Sequence, residues 1–192
     1  ILAVLSANNL FEVTEKNHDH RIETIKTTLT YIQENYKEKI YIRDLAGLIG
    51  MNEQYFCRFF KKVIGRSPME YVNEYRIKKA IHYLKEGQKF QKANNIAKAE
   101  ESYKQVTTTL SGKKWKTDAL YSLGVLFYNN GATVLKKAAP LANSDTEKYA
   151  IEKAAADADF KKASDYLQEA VALSPERAEI KKMLTQVQES LN

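Results

Sequence analysis

The sequence is poor in residues that interrupt helices and in patterns that build strands. Its 192 residues contain only three prolines and seven glycines, and the one strand-like run is Ile40-Tyr41-Ile42. Apolar residues recur every three or four positions along most of the chain, which is the period of amphipathic helices. These features predict an all-α protein, and the length predicts one large domain or two small ones.

Cysteine and long apolar runs are scarce as well. Cys57 is the only cysteine, which excludes an internal disulfide and favours a cytoplasmic location. The opening ILAVL is too short for a membrane span or a signal peptide, so we expect no membrane association. His18 and His20 fall in a segment without a predicted helix, and we expect His82 to lie on a helix without an acidic or cysteine partner at ligand spacing. No residues suggest a nucleophile with its base, and we expect no metal, no cofactor and no enzymatic activity.

Positive charge is concentrated in one part of the sequence. The formal net charge is +6. Residues 58–85 hold eight basic and two acidic side chains, whereas residues 86–192 hold 16 and 14. A local excess of lysine and arginine favours contact with polyanions such as nucleic acid. The excess lies within and directly after the segment described next.

Residues 42–62, IRDLAGLIGMNEQYFCRFFKK, have the pattern of a helix-turn-helix. Two helices that cross at a tight turn need a small residue at their contact and a residue that tolerates positive φ in the turn. Ala46 and Gly50 fill these two roles. Polar residues fall on the outer side of the second helix, where they suit a DNA groove. The predicted motif core consists of Leu45, Ala46, Ile49, Gly50, Met51, Phe56 and Phe59.

Helices are predicted on both sides of this motif. An apolar stripe at helical spacing predicts a preceding helix that packs on the motif. After the stop at Gly65, a capping-box pattern at Ser67 and Glu70, with Pro68 at the first helical position, starts a long helix that Gly87 alone need not end. The stripe of the preceding helix consists of Ile22, Ile25, Leu29, Ile32 and Tyr36.

The second half contains two copies of a helical-hairpin pattern, a glycine and an aromatic residue on one helix with alanine and an aromatic or apolar residue on the next. Asn94 and Asn95 supply the first turn. The second copy is longer, and a capping-box pattern at Ser144–Glu147 predicts the start of its second helix. A last apolar stripe in residues 176–191 predicts a terminal capping helix. The predicted repeat signature consists of Gly87, Phe90, Ala99, Tyr103, Leu123, Gly124, Phe127, Ala163, Leu167, Ala170 and Pro175.

Residues 21–85 resemble the first half of the DNA-binding domain of the AraC/XylS family of bacterial transcription regulators. The resemblance rests on the motif residues above, on the run from Arg58 to Lys62, and on Ser67-Pro68. It implies that the second motif helix enters a major groove, where Arg58 suits guanine and Gln54 suits adenine. By position, the base contacts fall on Gln54, Cys57 and Arg58, and the backbone or groove-edge contacts on Asn52, Lys61, Lys62 and Arg66.

The sequence departs from that family at two places. Tyr41 stands where the family often has a serine or threonine cap, and no counterpart of the family's second helix-turn-helix follows residue 85. Double-stranded DNA is therefore the expected partner, but one motif alone should bind it weakly, with Kd of about 10⁻⁴ to 10⁻⁶ M.

Residues 80–192 resemble tetratricopeptide repeats, which implies peptide or protein binding without catalysis. The predicted order is a linker or remnant at 1–20, the helix-turn-helix unit at 21–66, a connecting helix shared by both parts at 67–92, and repeats at 93–192. This joint suggests a chimera made by engineering or recombination through helix fusion. Three functions stay open: AraC-type sequence-specific DNA binding with an appended interaction module, a structural scaffold without evolved function, and peptide binding by the repeats.

Overall fold

The computed structural model of the chain describes residues 20–109 and 111–191. All regular structure in these residues is helical, which confirms the all-α fold. The chain divides into two compact units, Ile1–Tyr75 and Arg76–Asn192. Apart from residue 20, the predicted linker at 1–20 lies outside the part that is described. None of the described helices is both long and apolar enough to cross a membrane.

The first unit contains three helices and the beginning of a fourth. These are α1 (residues 20–35), α2 (Ile42–Leu48), α3 (Glu53–Ile64) and the start of α4 (Pro68–Lys92). The second unit contains the rest of α4, α5 (Ile96–Thr108), α6 (Lys113–Ala138), a 3-10 helix (Ala139–Ala142), α7 (Thr146–Leu173) and α8 (Ala178–Leu191). The division falls between Tyr75 and Arg76, inside α4, so one continuous helix belongs to both units.

Local hydrogen bonds set the helix boundaries of the first unit. The Tyr41 N–H donates to Asp44 Oδ2 at 3.0 Å, so Asp44 satisfies the backbone of the N-cap residue, whereas the Tyr41 side chain caps none of the free N–H groups of α2. Gly65 ends α3 with φ of 84° and donates its N–H to the Lys61 carbonyl. At the start of α4, the Ser67 N–H donates to Glu70 Oε2 at 2.7 Å, and the Glu70 N–H donates to Ser67 Oγ at 3.3 Å. The predicted capping box is therefore present.

The core of the first unit joins all four helices. Phe56 and Phe60 of α3 are completely buried, with ring centroids 5.6 Å apart, and Phe60 also contacts Tyr71 of α4 edge-on. Ile22, which the sequence placed in the stripe of α1, is instead 53% exposed. The other buried apolar residues of this core are Ile25, Ile32, Ile40, Leu45, Ala46, Phe59 and Val72.

The second unit is built from two helical hairpins and a final helix. Asn94, with φ of 56°, and Asn95, whose Oδ1 accepts the Lys98 N–H, form the turn between α4 and α5. The predicted capping box at Ser144–Glu147 is one residue off. The actual cap of α7 is Asp145, whose Oδ1 accepts the Lys148 N–H at 3.0 Å. Aspartate is as good an N-cap as serine, and the Ser144 hydroxyl donates to the Pro140 carbonyl instead.

Glycines allow the helices of the second unit to approach closely. A Cβ atom added to Gly87 would lie 2.8 Å from Cζ of Tyr103, and one added to Gly124 would lie 2.5 Å from Cγ of Leu167. The hairpin patterns therefore mark direct helix contacts. Gly131, which no pattern in the sequence singled out, packs in the same way against Phe160 and the Ala156 carbonyl.

The terminal helix α8 is held to the second hairpin by apolar and polar contacts. Ile180 and Val187 are completely buried. The guanidinium of Arg177, just before α8, donates to Asp118 Oδ1 of α6 at 2.5 Å. Gln186 Nε2 donates to the Tyr128 hydroxyl at 2.8 Å. These contacts close the end of the core, as a capping helix of a repeat stack does.

Candidate nucleic-acid interface

The second motif helix, α3, has one polar face and one apolar face. The 3.6-residue period places Gln54, Cys57, Arg58 and Lys61 on one side. Gln54, Arg58 and Lys61 are exposed, and Cys57 is half-buried. Because Phe56 and Phe60 anchor the opposite side in the core, the polar side chains project from a rigid support.

The turn before α3 sets the angle between α2 and α3. Ala46 is 1% exposed, and Gly50 adopts φ of 63°. The Met51 N–H donates to the Ala46 carbonyl at 2.9 Å and closes the turn. Of the predicted motif core, Leu45, Ala46, Phe56 and Phe59 are buried, Ile49 and Met51 are half-buried, and Gly50 is exposed in the turn.

Two of the predicted backbone-contact residues already have partners in the protein. Asn52 is the N-cap of α3, and its Oδ1 accepts the Tyr55 N–H at 3.1 Å. Arg66 forms an ion pair with Glu74. Lys61 and Lys62 are exposed. Part of the positive charge predicted for the interface is therefore compensated within the first unit.

Acidic groups lie near one flank of the interface. Hydrogen bonds from the Ser67 backbone N–H and hydroxyl lower the pKa of Glu70 below its usual value, and the charges of Lys61 and Arg66 lower it further. A carboxylate that neighbouring cations stabilise reduces their net attraction for an external anion. Lys61 and Arg66 thus present less net positive charge than their number suggests.

Sequence reasoning missed several exposed residues around the motif. Tyr41, at the start of α2, is 40% exposed, with Arg43 Cζ 4.7 Å and Lys39 Nζ 5.0 Å from its ring centroid. Tyr55 on α3 is 56% exposed beside the polar face. For the group formed by Lys39, Tyr41 and Arg43, the only signal in the sequence was the basic residue on either side of Tyr41. For Tyr55 there was no signal, since an aromatic residue on a helix is usually buried.

A second candidate site is a cleft of about 450 Å³ in the repeat unit. Gln91 Oε1 accepts the Tyr103 hydroxyl at 2.8 Å, and Asn130 Nδ2 donates to Asp159 Oδ2 at 2.7 Å. The side-chain N–H groups of Gln91 and the carbonyl of Asn130 are left for a ligand. Ile96 and Leu126 contribute apolar surface. The lining consists of Gln88, Gln91, Lys92, Asn94, Ile96, Leu126, Asn129, Asn130 and Thr133.

None of the residues of the predicted repeat signature lines this cleft. Phe90 is half-buried and Pro175 is exposed, whereas the other signature residues are buried. Burial raises the pKa of Tyr103 to about 12. The signature therefore marks packing positions, and the amide lining had no signal of its own in the sequence.

The described residues contain no group of three or more His, Cys, Asp or Glu side chains that could hold a metal ion. His18 lies outside these residues. His20 and His82 are both exposed. The expectation that His82 has no acidic partner is wrong, because Glu86 lies one helical turn away and its Oε2 is 3.3 Å from His82 Nε2.

Comparison with known proteins links the first unit to transcription regulators. Residues 32–73 match the family "Bacterial regulatory helix-turn-helix proteins, AraC family". The HTH-type transcriptional regulator YdeC of Bacillus subtilis is 32% identical over 74 residues, which are 38% of this chain and 24% of YdeC. A response regulatory protein of Staphylococcus epidermidis is 35% identical over 60 residues, 31% of this chain and 24% of that protein. The chain thus spans about a quarter of the length of these curated relatives.

A solved structure links the chain to repeat proteins. The crystal structure of a TPR repeats protein from Bacteroides fragilis is 56% identical, with a TM-score of 0.58. The match covers 76% of this chain and 63% of the other. The chain therefore combines a helix-turn-helix segment of the AraC type with tetratricopeptide-like repeats, as predicted. These similar proteins are described as transcription regulators and as a repeat protein, and their descriptions mention no catalytic activity.

Proposed function

We propose that residues 42–66 bind double-stranded DNA with α3 in the major groove and that this binding is sequence-specific. The observation that carries the proposal is the exposed polar face of α3, supported from behind by completely buried Phe56 and Phe60. The similarity of residues 32–73 to regulatory helix-turn-helix proteins supports it independently.

The dimensions of α3 suit this role. An α-helix with its side chains is about 10–12 Å wide and fits the major groove, which is about 12 Å wide. Arg58 has the fork of donors that pairs with O6 and N7 of guanine, and Gln54 has the donor and acceptor that pair with adenine. Cys57, half-buried at the edge of the same face, suits apolar contact with a thymine methyl group. Base contact by these three residues is part of the proposal.

One experiment tests sequence specificity directly. A randomised duplex pool is selected with the wild type and with Arg58→Ala, and the affinities of recovered duplexes are measured by fluorescence anisotropy at one salt concentration. We expect the wild type to enrich a site with a guanine that Arg58→Ala no longer selects, with a loss of about 1–3 kcal/mol of discrimination at that position. Lys181→Ala, which removes an exposed cation of α8, is the charge-matched control. Equal affinities for all duplexes in every variant would contradict specific binding.

We also propose that the amide-lined cleft of the second unit binds an extended peptide. Amide side chains pair with peptide N–H and C=O groups, and Ile96 and Leu126 offer surface for an apolar side chain. The test is a peptide array with Asn129→Ala beside Asn143→Ala, since both asparagines are exposed but only Asn129 lines the cleft. Peptides lost with Asn129→Ala alone support the cleft. Peptides bound equally by both variants refute it. The cytoplasmic location and the lack of enzymatic activity stay predictions.

A further inference from the structure

A basic surface of the first unit lies between α1 and α3. It is a cleft of about 720 Å³ between the start of α1 and one flank of α3, called the α1 cleft below. Its basic residues are Arg21 of α1 and Arg58 and Lys62 of α3. Its lining consists of His20, Arg21, Thr24, Met51, Tyr55, Arg58, Phe59 and Lys62.

The cations of the α1 cleft differ from Lys61 and Arg66 in their acidic neighbours. Arg66, which follows α3, is paired with Glu74, and the positive charge of Lys61 acts on Glu70. Among the described residues, no acidic side chain lines the α1 cleft. Arg21, Arg58 and Lys62 are exposed and form no ion pair within the described residues. Three cations around one concave surface repel each other, so an anion in the cleft lowers their energy.

The cleft is continuous with the proposed DNA-binding face. On α3, Arg58 lies about 40° from Gln54 around the helix axis, and Lys62 lies about 40° beyond Arg58. Arg58 therefore belongs both to the polar face and to the wall of the cleft. When a helix lies in the major groove, a phosphate row runs along each of its flanks, because the groove is only about as wide as the helix.

We propose that the α1 cleft holds a backbone phosphate of the DNA whose bases face α3, with Arg21 and Lys62 as its cationic ligands. Tyr55, which is 56% exposed beside them, offers its hydroxyl as an additional donor to a phosphate oxygen. This inference rests on the proposed DNA binding and extends the interface from α3 to α1. It adds Arg21 and Tyr55, which the sequence pattern did not single out.

The salt dependence of DNA binding shows whether a positive charge contacts a phosphate or only adds to the net charge of the protein. Arg21→Ala, Lys62→Ala and Lys26→Ala each remove one positive charge, and Lys26 is an exposed residue of α1 outside this cleft. For each variant, affinities for the selected duplex and an unrelated duplex are measured by anisotropy from 0.05 to about 0.3 M KCl, a range in which phosphate contacts dominate the salt dependence. Far-UV circular dichroism checks that each variant is folded.

We expect Arg21→Ala and Lys62→Ala each to make the slope of log K against log salt less steep by about 0.9. At 0.1 M salt this slope change corresponds to an affinity about eightfold lower, equally for both duplexes. Lys26→Ala should leave the slope unchanged, and Arg21→Lys should restore the wild-type slope. A titration with inorganic phosphate at fixed ionic strength tests whether the cleft instead takes a free anion.

The outcomes separate this inference from the function on which it rests. If the wild type binds DNA and Arg21→Ala has the wild-type slope, the phosphate site is refuted while DNA binding stands. If Arg21→Ala abolishes phosphate binding in the titration but leaves the DNA slope unchanged, the cleft is a site for a free anion and the proposal is refuted. If the wild type binds no duplex, the proposed function and this inference fail together.

Discussion

The substitution Gly87→Ala tests whether a direct contact between α4 and α5 determines the stability of the second unit. A Cβ atom on residue 87 would lie 2.8 Å or less from three ring atoms of Tyr103. Tyr103 is completely buried, and its hydroxyl is hydrogen-bonded to Gln91, so its ring cannot swing aside. The surrounding backbone must therefore shift to admit the methyl group.

The expected magnitude is the difference between two opposing effects. Overpacking a core by one methyl group costs about 1–3 kcal/mol. Replacing a helical glycine by alanine contributes about 1 kcal/mol of helix propensity in the other direction. Because the obstacle is a rigid ring, we take the upper part of the first range and expect a net loss of about 1–2 kcal/mol. With a urea m-value of about 2 kcal/mol/M, the middle of the range for small proteins, the unfolding midpoint should fall by about 0.5–1 M.

Trp115 provides the assay, since it is the only tryptophan and lies in the second unit. It is half-buried against a small core of Ala80, Val106 and Ala119, so its fluorescence should report the unfolding of this unit. The matched control is Gly47→Ala in α2, where an added Cβ atom meets nothing within 4 Å. That variant should not lower the Trp115 transition.

A double-mutant cycle decides whether the contact is the cause. Tyr103→Leu removes the ring that blocks the new methyl group. In that background, Gly87→Ala should cost nothing or stabilise the unit by up to about 1 kcal/mol, through helix propensity alone. If Gly87→Ala costs the same in both backgrounds, the loss comes from elsewhere and the proposed contact is wrong.

Three further predictions concern single groups. Asn52→Ala removes the cap of α3 and should cost about 1 kcal/mol in urea unfolding followed by circular dichroism, whereas Asn52→Asp should keep most of the stability. The folded state lowers the pKa of Glu70, so the ionised Glu70 side chain contributes to stability above the ordinary pKa of 4.5. This contribution is lost as the pH falls through the lower pKa of the folded state. Glu70→Gln should remove this part of the dependence of stability on acid pH. Burial raises the pKa of Tyr103 to about 12, so spectrophotometric titration should show it ionising well above the ordinary tyrosine value of 10. The stability that the neutral Tyr103 side chain contributes should therefore be lost between about pH 10 and 12, and a Tyr103→Phe variant with the same alkaline transition would contradict this.

The helical architecture was predictable because it depends on short-range patterns. The capping box at Ser67 and Glu70, the stop at Gly65 and the turn at Gly50 each follow from the conformational preferences of a few adjacent residues, and each has the predicted geometry. The start of α7 was predicted one residue too early, because two adjacent residues could each serve as its N-cap. Ser144 and Asp145 are both good caps, and the hydrogen bond of Ser144 to the Pro140 carbonyl accompanies the choice of Asp145.

The interface was predictable only in part. The polar face of α3 follows from helical period, so the sequence alone places Gln54 and Arg58 on it. Partners distant in the sequence were not predictable. The ion pair between Arg66 and Glu74 and the use of Asn52 as a cap changed the expected set of phosphate-binding residues, because each depends on how neighbouring elements pack.

By itself, the sequence determined that the chain is all-α, where its helix-turn-helix lies, and that this segment is followed by repeats. Those properties are encoded in periods of three or four residues and in single caps and turns. Only the tertiary structure decided which charges have partners and which surfaces are concave. Arg21 and Arg58 lie on different helices, and they form one basic cleft because α1 packs beside α3. Such sites form where segments that are distant in the sequence pack together, so a pattern of neighbouring residues cannot predict them.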